Sequence, residues 1–179
     1  MRSHDHRWAT LIAMFTGARK NEICQLTGSD IVQEQGVWCF SINDEGEEKS
    51  LKTDAAKRMV PVHGRLIELG VLDLAHKQGD RSKRIFDYSF HKADGYGRSL
   101  GRWFNDSFTF RLGIKSKELV FHSFRHTMIT RLGQAGVAEP IVKTIVGHER
   151  AGVTQQVYFK EGYTVKQLSE AINRFSIAD

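Results

Sequence analysis

The chain has 179 residues with 26 Lys/Arg, 21 Asp/Glu and 8 His, a formal net charge of +5 and a pI near 9.3. Apolar residues at 40% and charged residues at 26% exclude a disordered or fibrous chain. No apolar run reaches the roughly 18–20 residues that span a bilayer, the basic N-terminus lacks a signal-type apolar core, and two cysteines, Cys24 and Cys39, are too few for a disulfide framework or a Cys-rich zinc site. Such usage fits a reducing, cytoplasmic compartment.

The predicted elements follow in chain order. Residues 6–16 place Trp8, Leu11, Ile12 and Phe15 on one helical face. Gly17 suits the end of that helix, and a second helix runs from Arg19 to Leu26. Thr27-Gly28-Ser29-Asp30 is turn chemistry. Val37–Ile42, rich in β-branched and aromatic residues, reads as a strand, with shorter strands at 50–53 and 57–62. Pro61 puts the last at an edge or at its end. A helix is expected over 64–77, with Leu66, Ile67, Leu69 and Leu72 on one side, and a polar loop over 78–97. Further helices are expected over 98–112, 122–134, 139–147 and 165–175. The expected class is α+β: one mainly helical domain over 1–179 with a small three-stranded antiparallel sheet near 36–62.

The charge is unevenly placed. Residues 98–150 hold nine Lys/Arg against four acids, which accounts for the whole +5. An excess confined to one segment suits a phosphate-facing surface better than a uniform one.

Four constellations stand out. Arg19 opens a helix, where the dipole disfavours a cation, and Glu22 one turn later can hold its guanidinium. Lys52 lies at the tip of the predicted hairpin, from which a lysine can reach a groove as a mobile acid. Lys49, Lys57 and Arg58 lie close by, and a shifted register would promote Lys57. His122 and Arg125, three apart, share a helix face and pair a proton carrier with a fixed charge. Gly147 can end a helix and swing His148 outward, and Tyr158 follows ten residues on. His122 and His126 are four apart, but Ser123 stands where a metalloprotease motif needs Glu, and no Cys or carboxylate cluster completes a shell.

Together, Thr16-Gly17-Ala18-Arg19 with Glu22, the segment Lys52 to Pro61, Phe121-His122-Ser123-Phe124-Arg125-His126-Thr127, and Val146-Gly147-His148 with Tyr158 resemble, in order, the motif boxes of the tyrosine recombinase (phage integrase) catalytic domain. The resemblance runs from about residue 8 to residue 160. It implies cutting and rejoining of double-stranded DNA at specific sites, for integration or excision of a phage or mobile element, with no metal or other cofactor.

By that resemblance Tyr158 is the nucleophile and forms a 3′-phosphotyrosyl link. Arg19 and Arg125 clamp the phosphate, Lys52 protonates the leaving 5′-oxygen, His122 handles the tyrosine proton, and His148 donates a hydrogen bond. Glu22 orients Arg19. Tyr163 lies too far from His148 for the pattern. The resemblance further implies a missing N-terminal core-binding domain, self-association as a tetramer on DNA in the full-length enzyme, and a tail helix over 163–179 that docks in cis or in trans. The competing readings are a type IB topoisomerase-like relaxing enzyme and a non-catalytic helical DNA-binding module.

Overall fold

The computed structural model describes residues 2–46, 48–53, 56–148 and 162–177. Helix α1 (Arg2–Thr16) buries Trp8, Ala9, Ile12, Ala13 and Phe15 along one face. Gly17 stops it with φ +62°, a conformation that few side chains tolerate. A Cβ there would also lie 3.1 Å from Val146 and 3.3 Å from Met128. The chain turns at once into the short helix α2 (Lys20–Cys24), whose Ile23 and Cys24 are buried.

The sheet has three antiparallel strands in the order β1 (Ile31–Glu34), β2 (Val37–Ile42), β3 (Arg58–Pro61). The class and strand number match expectation, but the membership differs. The first strand lies at 31–34, joined to β2 through Gln35 (φ +50°) and Gly36 (φ +80°), a two-residue turn whose twist suits a hairpin. Residues 50–53 are not a strand: the Ser50 N–H donates to the Gln25 side chain at 3.2 Å instead of to a neighbouring strand. Lys52 therefore sits on the long loop that joins the paired strands β2 and β3, and not beside a strand at 50–53. The pairing of Ile42 with Arg58 sets where that loop returns.

The expected helix over 64–77 is broken. It consists of α3 (Gly64–Glu68), a left-handed Gly70 and a 3-10 turn over Val71–His76. The helical run after residue 97 is α4 (Arg98–Arg102), a π-helical stretch (Trp103–Phe108) and α5 (Thr109–Arg111). Helices α6 (Ser123–Gln134) and α7 (Glu139–Val146) lie where expected. The core is shared by α1, α6 and α7, with Met128, Leu132, Ile145 and Val146 fully buried. Among the described residues no helix is long and apolar enough to cross a membrane.

The last helix is α8 (Val165–Ile172). It lies against β3 and α7, with Leu168, Ala171 and Ile172 buried. Phe175 follows it into the core, edge-on to Phe15. His63 latches this end. Its Nδ1 accepts the Arg65 N–H at 3.0 Å, so its Nε2 carries the proton and donates to the Phe175 carbonyl at 3.1 Å. The Asn173 side chain adds an acceptor for the Gly64 N–H at 2.8 Å.

Burial lowers the His63 pKa, outweighing the opposing pull of the Phe175 carbonyl and Glu68. The unfolded chain then binds more protons than the folded one just below the ordinary imidazole value of about 6.5, so stability falls as pH drops through that value. The expected result is a steeper loss of urea-unfolding stability from pH 7 to 5 in the native chain than in His63→Gln. Equal slopes would show that the latch does not titrate.

Candidate active site

Three local structures deliver the polar side chains singled out above. At the start of α2, Glu22 reaches back: its Oε2 accepts the Arg19 N–H at 2.9 Å, and its Oε1 accepts from Arg19 Nη1 at 2.7 Å. The carboxylate thus offsets the dipole penalty on Arg19 and aims its side chain. At the start of α6, His122 is the residue that precedes the helix, and Arg125 lies one turn on. At the end of α7, Gly147 adopts φ +69°. Its N–H bonds the Thr144 carbonyl at 3.3 Å and the His148 N–H bonds the Lys143 carbonyl at 2.9 Å. This pair of bonds is a Schellman cap, and it places His148 just beyond the helix.

These ends meet. Arg125 is 2% exposed, and its Nη1 donates to the Gly17 carbonyl at 2.8 Å. Its Nη2 is buried and has no hydrogen-bond partner among the described residues. Arg19 Nη2 donates to the Gly147 carbonyl at 3.3 Å, which ties the first box to the third. Arg19, Lys52 and His122 line one open cleft of about 430 Å³, together with Lys20, Gly101 and Asn105. Lys52, His122 and His148 are exposed, whereas Glu22 is buried. Lys57 points elsewhere, to Asp44 at 2.9 Å, and Lys49 is held by Asp30 at 2.7 Å. Of the candidate residues, Tyr158 lies outside the described residues.

The electrostatics follow from this crowding of cations. Burial pulls Arg125 down to about 10, with Arg19 and Arg58 adding to the shift, yet it stays charged at neutral pH. Partial loss of hydration on the protein-facing side, then His126, Arg125 and Arg19, lower the pKa of His122. The same partial desolvation, then Arg125, Arg19, Lys143 and Arg58, lower that of His148. Both imidazoles are therefore neutral at pH 7, able to accept a proton on one nitrogen and donate a hydrogen bond from the other. Burial alone would raise the Glu22 carboxyl, but Arg58 and Arg19 outweigh it and hold it ionised. Among the described residues no group of three or more His, Cys, Asp or Glu could hold a metal ion.

Sequence reasoning missed two contributors. Arg58 donates to Glu22 Oε2 at 2.9 Å and to the Ile145 carbonyl at 2.8 Å. The signal for it was weak, a single arginine in a basic stretch. Asn105 accepts the Phe121 N–H at 3.1 Å through its side chain and so fixes the approach to His122. It sits in the π-helical stretch, a distortion that apolar periodicity does not reveal.

The family model for the phage integrase family matches residues 2–164. The integrase from mycobacterium phage Brujita is similar in fold, with 20% identity and a TM-score of 0.62 over 96% of this chain and 52% of that one. The XerH site-specific recombinase bound to difH substrate, in a pre-cleavage complex, has 22% identity and a TM-score of 0.56 over 86% of this chain and 42% of that one. The chain thus spans about half the length of these structures. No curated protein matches it.

The cap at Gly147 makes a direct prediction. A Cβ there would lie 2.7–3.0 Å from the Arg58 guanidinium in a left-handed backbone, whereas at the helical Gly133 it would meet nothing within 4 Å. Gly147→Ala should lower unfolding stability by at least about 1 kcal/mol, and Gly133→Ala should leave it equal or raise it by up to about 1 kcal/mol. Urea unfolding of the two variants checks this, and equal effects would contradict the cap geometry.

Proposed function

The chain belongs to the phage integrase family, and from that premise we propose that it is the catalytic part of a tyrosine recombinase that cleaves and rejoins double-stranded DNA. The observation that carries the reading is the buried Arg125, with one donor on the Gly17 carbonyl and another unpartnered among the described residues, close to Arg19, His122 and His148. A buried cationic donor left unsatisfied costs on the order of 1–3 kcal/mol. An anionic oxygen bound there recovers that cost, and preorganised guanidiniums stabilise charge that grows in a transition state.

In the proposed reaction the Tyr158 hydroxyl attacks the scissile phosphorus. A Tyr158 Oη–P bond forms as the bond to the 5′-oxygen breaks, leaving a 3′-phosphotyrosyl link. Neutral His122 takes the phenolic proton, and Lys52 gives a proton to the departing 5′-oxygen. Arg19 and Arg125 hold the non-bridging oxygens, and His148 donates to the phosphate. A 5′-hydroxyl from another strand then reverses the step. A phenolate leaves readily enough for the two directions to stay close in energy. The role of Tyr158 rests on its place in the sequence, ten residues after His148.

Site specificity, a phage or mobile-element role, and self-association on DNA belong to the same proposal. Family membership and the fold of the two recombinases support it. The basic excess of residues 98–150, which include His122, Arg125 and His148, suits a phosphate-facing surface.

The test is a pool of nicked duplexes of randomised sequence, incubated with the protein in EDTA and examined for covalent adduct. The native chain should form an adduct and Tyr158→Phe none, while Arg19→Ala and Arg125→Ala should slow its formation by about 10²–10³. An adduct that persists in Tyr158→Phe would move the nucleophile elsewhere. DNA binding with no adduct under any condition would favour the non-catalytic module.

A further inference from the structure

Glu22 creates a conflict that the fold must resolve. It holds Arg19 through both the guanidinium and the backbone N–H. A carboxylate so close also cancels the charge it orients, and a phosphate-binding arginine so neutralised would be well aimed but weak. Arg58 stands on the other side of the same carboxylate. Its Nη2 donates to Glu22 Oε2 at 2.9 Å, and both side chains are 5% exposed. Its other two nitrogens are also engaged, Nε with the Ile145 carbonyl at 2.8 Å and Nη1 with the Ala56 carbonyl at 2.7 Å. Arg58 is thus turned wholly toward protein, whereas Arg125 keeps an unpartnered Nη2 among the described residues.

We propose that Arg58 is a positioning residue whose charge offsets Glu22, so that Arg19 and Arg125 keep theirs for an anionic substrate. The inference rests on the phosphoryl-transfer reading above and deepens it. Three guanidiniums against one carboxylate leave two uncompensated positive charges. A phosphodiester carries one negative charge, and attack by a tyrosinate brings a second into the pentacoordinate state. The surplus of these four side chains, beside Lys20 and Lys52 of the same cleft, favours that build-up of negative charge.

Arg58 also acts through geometry. Its three bonds tie the carboxylate behind Arg19, the last turn of α7 before His148, and the return of the loop that carries Lys52. Lysine could supply the charge but not this fork. The cation is felt beyond its contacts, since Arg58 adds to the downward shifts of both Arg125 and His148.

The experiment compares the native chain with Arg58→Met, Arg58→Lys, Glu22→Gln and the double variant Glu22→Gln/Arg58→Met, each normalised to folded protein by thermal melting. Two readouts are taken, the rate of adduct formation on nicked DNA and the affinity for pyrophosphate by calorimetry. Arg58→Met should slow the adduct by about 10²-fold, as expected when an aiming group is lost. It should weaken pyrophosphate by roughly three- to tenfold, as expected for one charge a few ångströms away.

The double variant has the native net charge, so its pyrophosphate affinity should return to within about twofold of native. Arg58→Lys should hold that affinity while still slowing the adduct. Glu22→Gln alone should tighten pyrophosphate, which keeps the test open if Arg58→Met does not fold. A double variant no better than Arg58→Met, or a Glu22→Gln cleft no tighter than native, would show that Arg58 only packs and would overturn the proposal. A native cleft that takes no pyrophosphate would overturn it too, because no surplus charge then faces solvent. A native chain that shows the pyrophosphate pattern but no adduct would defeat the recombinase reading and leave the charge offset standing.

Discussion

A carboxylate removed from water must be matched by charge and hydrogen bonds, and Glu22 is matched twice, by Arg19 on one oxygen and Arg58 on the other. Breaking a buried pair of this kind costs about 3–5 kcal/mol, because the remaining partner is stranded. The same two guanidiniums end on carbonyls at the C-terminal end of α7, Arg58 on Ile145 in its last turn and Arg19 on the capping Gly147. The negative end of a helix dipole lies there, so both cations are doubly placed. One carboxylate therefore joins α2, β3 and α7, which are far apart in sequence. The positions of Arg19 and of the His148 turn both depend on it.

Arg125 reaches the same place by another route. It is carried on α6, whose Met128 and Leu132 pack into the core beside α1. Its guanidinium is held by a backbone carbonyl, that of Gly17, and not by a carboxylate. That carbonyl faces α6 only because α1 stops abruptly in a left-handed residue whose missing Cβ admits Val146 and Met128. The two arginines thus differ in character. Arg19 is 26% exposed and oriented by charge, whereas Arg125 is buried and oriented by packing and one backbone carbonyl.

Much of this was legible in sequence. Long helices with a clear apolar stripe, α1, α6 and α7, came through, as did β2 with its run of aromatic and β-branched residues. The order of Arg19, Lys52, His122, Arg125 and His148 marked groups that the fold draws toward one another. The failures are physical. Strand β1 buries only Ile31 fully and turns through Gln-Gly, so neither alternation nor an Asn-Gly signal announced it. Ser50–Thr53 is not paired as a strand, because the loop is held by the Gln25 side chain. Gly70, left-handed, cut a helix that Leu66–Leu72 had suggested. Arg58 was hidden because its importance lies in long-range contacts, to residues 36 and 87 positions away.

The packing of α8 adds a last constraint. Its apolar stripe, Leu168, Ile172 and Phe175, is buried against the rest of the chain. In the folded chain it covers β3, the strand whose first residue is Arg58. Burial of Leu168, Ile172 and Phe175 contributes on the order of 1.5–3 kcal/mol each. Displacing α8 would expose those side chains, open the inner face of β3 beside Val60 and release the latch at His63. A strand so uncovered is a poor anchor for a guanidinium that must hold three acceptors at once. The helix that follows His148 and Tyr158 in sequence thus braces the strand that carries Arg58, and the tail belongs mechanically to the site although none of its described side chains lines the cleft.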